Sequence, residues 1–265
     1  PGPAARIEVA PGIHWIRMPL PFALDHINLW LMRDQHDGEG WTLIDCGISS
    51  DDTRTLWQTL FETGLDGLPI RRLLCTHTHP DHVGSAHWLQ QHFGAPLWMT
   101  MGEYGLGRIL SSRLPGADSE SAANHFQRHG IAPGPQLDAI RVRGADHFAR
   151  LVPSMPTSFR RIRDGERIAI GGRQWRVIVG QGHSPEHAAL YCEADGLLLS
   201  GDMVLPRIST NVSVWEIEPE SNPVDWYLEA LDRFECCRED TLVLPSHGRP
   251  FRGLHTRLQQ LREHH

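Results

Sequence analysis

Four times along the chain an apolar run of strand length ends on a histidine or an aspartate in a polar, turn-rich loop: LLCTHTHPDH from Leu73, WRVIVGQGH ending at His183, GLLLSGD ending at Asp202, and DTLVLPSHG carrying His247. A strand that is apolar along its length and polar only at its tip is buried in a sheet. It delivers its last side chains to one edge of that sheet, where α/β folds assemble their sites. The first run is the densest, with His77, His79, Asp81 and His82 falling within six residues, behind an apolar run and ahead of a helical pattern. Seven side chains able to hold a metal thus come from four strand ends.

Around those tips, strand and helix patterns alternate, which predicts an α/β protein. Strands are expected over 6–9, 13–18, 26–33, 41–45, 72–76, 165–170, 174–179, 188–192, 196–200 and 241–245. Helices are expected over 51–63, capped by Ser50 or Asp51, then over 84–93, 223–236 and from 254 onward. Between about 96 and 163 glycine and proline are frequent, and helical fragments at 118–129 and 135–140 occur without strong strands. This segment reads as a helical cap inserted within a single domain spanning 1–265. The last helical pattern is still running at His265, which leaves a natural C-terminal extension beyond it open.

A chain of 265 residues suffices for one sizeable core. No apolar stretch approaches the roughly 18 residues of a membrane span. The opening PGPAARIEVA lacks the apolar segment of a signal peptide, so a cytoplasmic location is expected. The five cysteines, odd in number and without CxxC spacing, read as buried free thiols in a reducing compartment. A formal charge of -7 with scattered arginines argues against a nucleic-acid partner. The expected partner is a small-molecule substrate, with no membrane, and self-association into a homo-oligomer stays open. There are 17 histidines, a count that decides little because most histidines are surface or core groups; their spacing carries the argument.

The elements HxHxDH, Gly-His, Gly-Asp and Ser-His-Gly, in that order, resemble the metallo-β-lactamase superfamily, closest to its glyoxalase II-like and β-lactamase-like hydrolase branches, over about residues 45 to 247. The resemblance implies a four-layer αββα sandwich. It implies a first divalent ion held by His77, His79 and His183, a second held by Asp81, His82 and His247, and Asp202 bridging the two. Asp45, ending WTLID, resembles the buried aspartate that supports the HxHxDH loop from behind. Asp81, Asp202 and Asp45 are therefore the acidic residues expected in catalysis. Nitrogen and carboxylate donors without thiolates suit Zn2+ and tolerate Fe2+ or Mn2+.

Local spacing agrees with these roles. His77 and His79, two apart on an extended segment, point the same way, while Asp81 and His82 turn toward a neighbouring ion as a helix begins. Pro80 stiffens the loop and Gly84 is expected to permit a tight turn into the helix. Two ions about 3.5–4 Å apart share one hydroxide, because each lowers the pKa of bound water from about 15.7 toward about 7. The expected activity is hydrolysis of an ester-like bond in a small molecule, a thioester or a lactone, with no serine or cysteine nucleophile. The alternatives are phosphodiester cleavage, as in endoribonucleases on the same site, and iron-dependent redox chemistry. In the loop LPRISTNVS, Arg207 and Asn211 are candidates for substrate contacts. His187 is read as a supporting histidine outside the metal set, and Trp30, Trp41 and Trp175 as core.

Overall fold

The two sheets of this chain pack face to face through alternate apolar side chains. The computed structural model describes residues 1–113, 119–143 and 147–265. Among them, β1 (Arg6–Ala10), β2 (Ile13–Pro19), β3 (His26–Asp34), β4 (Gly40–Ile44), β5 (Ile70–Leu74), β6 (Leu97–Met99) and β7 (Arg160–Arg161) form one sheet in chain order. The first four strands pair antiparallel and the remainder parallel. The second sheet, in the order β12-β11-β10-β9-β8, contains β8 (Arg167–Ile170), β9 (Arg173–Gly180), β10 (His187–Cys192), β11 (Leu197–Gly201) and β12 (Leu242–Pro245). Only β11 and β12 pair parallel within it.

The period-two alternation of the strands decides the layering. Trp30, Met32, Ile44 and Leu74 of the first sheet pack against Ile170, Trp175, Val177, Leu190 and Leu244 of the second. Their sequence neighbours Leu29, Leu31, Leu43 and Leu73 face the other way. They meet Trp57 and Leu60 of α1 (Asp51–Thr63) and, beyond α2 (Pro80–Val83), Leu89 of α3 (Ala86–Phe93). On the outer face of the second sheet, Ile178, Tyr191, Leu198 and Val243 pack under helices, though four more helices come first in chain order. These are α4 (Met101–Ser111), α5 (Ser119–Arg128), α6 (Pro135–Arg143) and α7 (His147–Leu151). The covering helices are α8 (Pro223–Asp232), through Tyr227 and Leu231, and α9 (Leu254–His264), through Leu258 and Leu261. The result is the αββα sandwich the resemblance implies, with each buried aliphatic side chain contributing about 1.5–3 kcal/mol.

Trp30, Trp41 and Trp175 are core, as read. Helix α1 begins where expected because Ser50 accepts the Thr53 N–H at 3.1 Å. Several expectations need correction. The segment read as lacking strong strands holds two short ones, β6 and β7, which extend the first sheet; strands of three and two residues are too short to show a period. The helix expected over 84–93 is α3 and starts two residues later, with Gly84 and Ser85 between α2 and α3. Gly84 has an ordinary helical φ of -54, so it is not needed for its conformational freedom. It is needed for space: a Cβ there would lie 2.4 Å from the Pro80 carbonyl oxygen and 2.7 Å from the Ser49 nitrogen. Cys236 is exposed, whereas the other four cysteines are buried free thiols. The helix expected over 118–129 is α5, and Asp118, with the rest of 114–118 and 144–146 of the cap, lies outside the described residues. Among the described residues no helix is long and apolar enough to cross a membrane.

Candidate metal centre

The four polar tips read from the sequence arrive at one edge of the sandwich. His77 follows β5, His183 follows β9, Asp202 follows β11 and His247 follows β12. Two backbone bonds stitch the sheets together there, from Ala188 N–H to the Thr76 carbonyl (2.9 Å) and from Asn28 N–H to the Ser246 carbonyl (2.7 Å).

The seven side chains form two groups, in each of which the candidate donor atoms lie within 4.8 Å of one another: His77, His79, His183 and Asp202, and Asp81, His82 and His247. In the first, His77 Nε2 stands 2.9 Å from His79 Nδ1 and 3.1 Å from His183 Nε2, and His183 Nε2 is 3.4 Å from Asp202 Oδ2. In the second, Asp81 Oδ2 is 3.6 Å from His82 Nε2 and 3.4 Å from His247 Nε2. The other oxygen of Asp202, Oδ1, faces this second group at 3.6 Å from His82 Nε2 and 3.4 Å from His247 Nε2. One carboxylate thus lies between the two groups, with an oxygen turned to each.

The groups fit divalent cations on two observations. A tetrahedral ion with bonds of about 2.0–2.1 Å sets its ligand atoms about 3.3–3.4 Å apart, close to the separations found. His82 Nε2 and Asp202 Oδ1 are buried and have no hydrogen-bond partner, a state costing roughly 1–3 kcal/mol for each group unless something else faces them.

The far nitrogens of His77, His82, His183 and His247 are occupied, which fixes which nitrogen of each faces inward. His183 Nδ1 donates to the Asn211 carbonyl and His247 Nδ1 to the His26 carbonyl, both at 2.8 Å. His82 Nδ1 lies 2.8 Å from Asp45 Oδ2, and Asp45 Oδ1 accepts the Thr76 N–H at 2.8 Å. Asp45 therefore stands behind His82, in the supporting position read for it, at φ +61 on the turn leaving β4. Sequence reading missed Thr76, whose hydroxyl donates to Asp45 and lies 3.0 Å from His77 Nδ1. Its only sequence signal is its place between the strand and the first ligand. His187 is buried and accepts the Asp202 N–H at 3.0 Å through Nε2, and Gly201 has no Cβ because one would lie 2.3 Å from that ring. Of the loop candidates, Asn211 reaches the cluster through its backbone carbonyl, while its side chain accepts from Ser213; Arg207 stands exposed.

Electrostatics divide the cluster. Burial, then the neighbouring imidazoles, hold His77 well below the ordinary histidine range, and burial with His183 brings His79 to about 3. Both rings are thereby held toward the neutral form, the form in which an imidazole binds a metal. For His82 and His247 burial also pulls downward, but Asp45, Asp81 and Asp202 outweigh it at His82, and Asp202 and Asp81 carry His247 up to about 10. The carboxylates favour positive charge at this place, whether proton or metal.

The sequence model for the metallo-beta-lactamase superfamily matches residues 23–247. A crystal structure of a beta-lactamase domain protein from Burkholderia ambifaria is 54% identical and superposes with a TM-score of 0.88, covering 100% of this chain and 77% of that one. The probable metallo-hydrolase YqjP of Bacillus subtilis is 25% identical over 92% of this chain and 74% of its own length. The acyl-coenzyme A thioesterase MBLAC2 of Gallus gallus is 28% identical over 91% of this chain and 79% of its own. With most of the chain matched and the histidine and aspartate tips converged on one edge, the chain belongs to the metallo-β-lactamase superfamily and is a metal-dependent hydrolase of it.

Proposed function

We propose that this hydrolase holds two divalent ions, Zn2+ by preference, and cleaves thioesters of small acyl compounds. The observation that carries the reading is the placement of Asp202, one buried carboxylate with an oxygen toward each donor group. Bound there, a pair of ions supplies Lewis acidity and ionises water near neutral pH. The chain's own contribution is orientation. His77, His79 and His183 bring ring nitrogens together, and Asn211, His26 and Asp45 fix the ring orientations of His183, His247 and His82. His79 and Asp81 are the least buried of the seven, so the substrate approaches from their side. Asp81, with Oδ2 near both His82 and His247, would hold the second ion and orient the attacking water beside it.

Two further points support a thioester. The loop that anchors His183 through Asn211 also exposes Ile208, Trp215 and Ile217, apolar surface suited to an acyl chain. The relative from Gallus gallus, aligned over most of the chain, is named an acyl-coenzyme A thioesterase. The test is to load the protein with Zn2+ and compare kcat/KM on an acyl-CoA, followed by released thiol, with that on a lactone and on bis-p-nitrophenyl phosphate. The acyl-CoA is expected to be the best substrate. Faster cleavage of the phosphodiester would overturn the reading.

A further inference from the structure

Glu103 is a fully buried carboxylate in α4, outside the seven candidate ligands. Its two oxygens serve two different loops. Oε2 accepts the Thr78 N–H at 2.9 Å, and Oε1 accepts the Glu186 N–H at 2.8 Å. Thr78 stands between His77 and His79. Glu186 lies three residues after His183 and one before His187, the ring that accepts the Asp202 N–H. The helix sits directly on both loops: a Cβ at Gly107 would lie 2.5 Å from the Thr78 hydroxyl, Thr100 donates to the Glu186 carbonyl at 2.9 Å, and Gly102 N–H donates to the Glu186 carboxylate at 2.7 Å.

Burying a carboxylate is costly, and packing alone gives no reason for one here. Two N–H donors arriving from separate loops do, because an ionised carboxylate is acceptor-only and satisfies both, whereas an amide turns a donor toward one of them. We infer that Glu103 is a positioning residue that sets the separation between the loop bearing His77 and His79 and the loop bearing His183, and so the geometry of the first donor group. The inference rests on the proposal that this group holds an ion. The first helix after β6 thereby acts on the metal centre without touching it.

The test measures Zn2+ affinity by chelator competition on the full chain in two backgrounds. His247→Ala leaves only the first group with all its donors, and His79→Ala leaves only the second. Adding Glu103→Gln is expected to weaken Zn2+ binding about 10–100-fold in the first background. In the second, the change is expected to stay within about twofold, as for uncoupled sites. The visible spectrum of bound Co2+ should shift in the first background alone. Glu103→Asp, which keeps the charge but shortens the reach by one methylene, should give the same pattern and guards against misfolding of the amide variant. Unchanged affinity in the first background, or equal loss in both, would overturn the inference. Failure of the His247→Ala parent to bind Zn2+ at all would instead overturn the reading of the site, and the inference with it.

Discussion

The sandwich has a buried polar cluster at each end, and the two are built on opposite principles. At the end away from the candidate metal centre, Asp34 pairs with Arg72 and accepts from the Thr42 hydroxyl (2.5 Å), the Gln35 N–H (2.9 Å) and the Gly171 N–H (3.2 Å). Arg72 also donates through Nε to the Thr42 hydroxyl and through Nη2 to the Ala169 carbonyl, joining the first sheet to the second. This cluster is closed, with every strong partner inside the protein. At the other end, seven histidines and aspartates converge and leave His82 Nε2 and Asp202 Oδ1 without hydrogen-bond partners. A buried polar group left open is expensive, so one end is completed by the fold and the other by a cation from outside.

The contrast breaks most sharply at Asp202. Asp202→Ala should abolish hydrolysis and lower metal content, as read by steady-state assay and elemental analysis, and full activity would exclude a shared carboxylate. At the closed end, Asp34→Asn leaves the Arg72 charge buried and uncompensated, which should cost about 3–5 kcal/mol in urea unfolding while metal content per folded chain stays that of the wild type. The sign with pH follows from the same contacts. Burial pushes the Asp34 carboxyl upward, yet the Thr42 hydroxyl and Arg72 outweigh it and hold it below the ordinary 3.8. Its stabilisation is therefore full above that value and lost as pH falls through the lower, folded one, an acid sensitivity that Asp34→Asn should lack.

Between these extremes, Asp45→Asn should keep the fold and weaken metal binding about 10–100-fold, measured by chelator competition. Wild-type affinity would remove Asp45 from its place behind His82. The smallest effect is expected outside either cluster: Ser50→Ala removes the α1 cap and should cost about 1 kcal/mol in thermal unfolding with no change in metal content.

How much of this was legible in the sequence follows the same division. The donors lie at strand tips, where a run of apolar residues announces the strand and the polar residue announces the edge, so His77 through His82, His183, Asp202 and His247 could be read without coordinates. Alternation also placed the long strands and α1. The strands β6 and β7 left no trace because two or three residues carry no period. Glu103 was invisible for a different reason. A glutamate in MGEYGLG reads as a solvated helical residue, and only contacts to residues 25 and 83 positions away make it a buried acceptor. Asn211 was singled out as a substrate contact by its place after Asp202, whereas its reach into the cluster runs through a carbonyl oxygen that every residue type possesses. Side-chain chemistry is written in the sequence; backbone groups recruited by tertiary contact are not.

The most direct test of the account is a crystal structure of the Zn2+-loaded chain with anomalous scattering recorded at the metal edge. Two peaks are predicted, one among His77, His79 and His183 and one among Asp81, His82 and His247, each contacted by a different or shared oxygen of Asp202. A single peak with Asp202 turned away from it, or no peak at this edge of the sandwich, would contradict the claim that the open cluster is completed by a pair of ions.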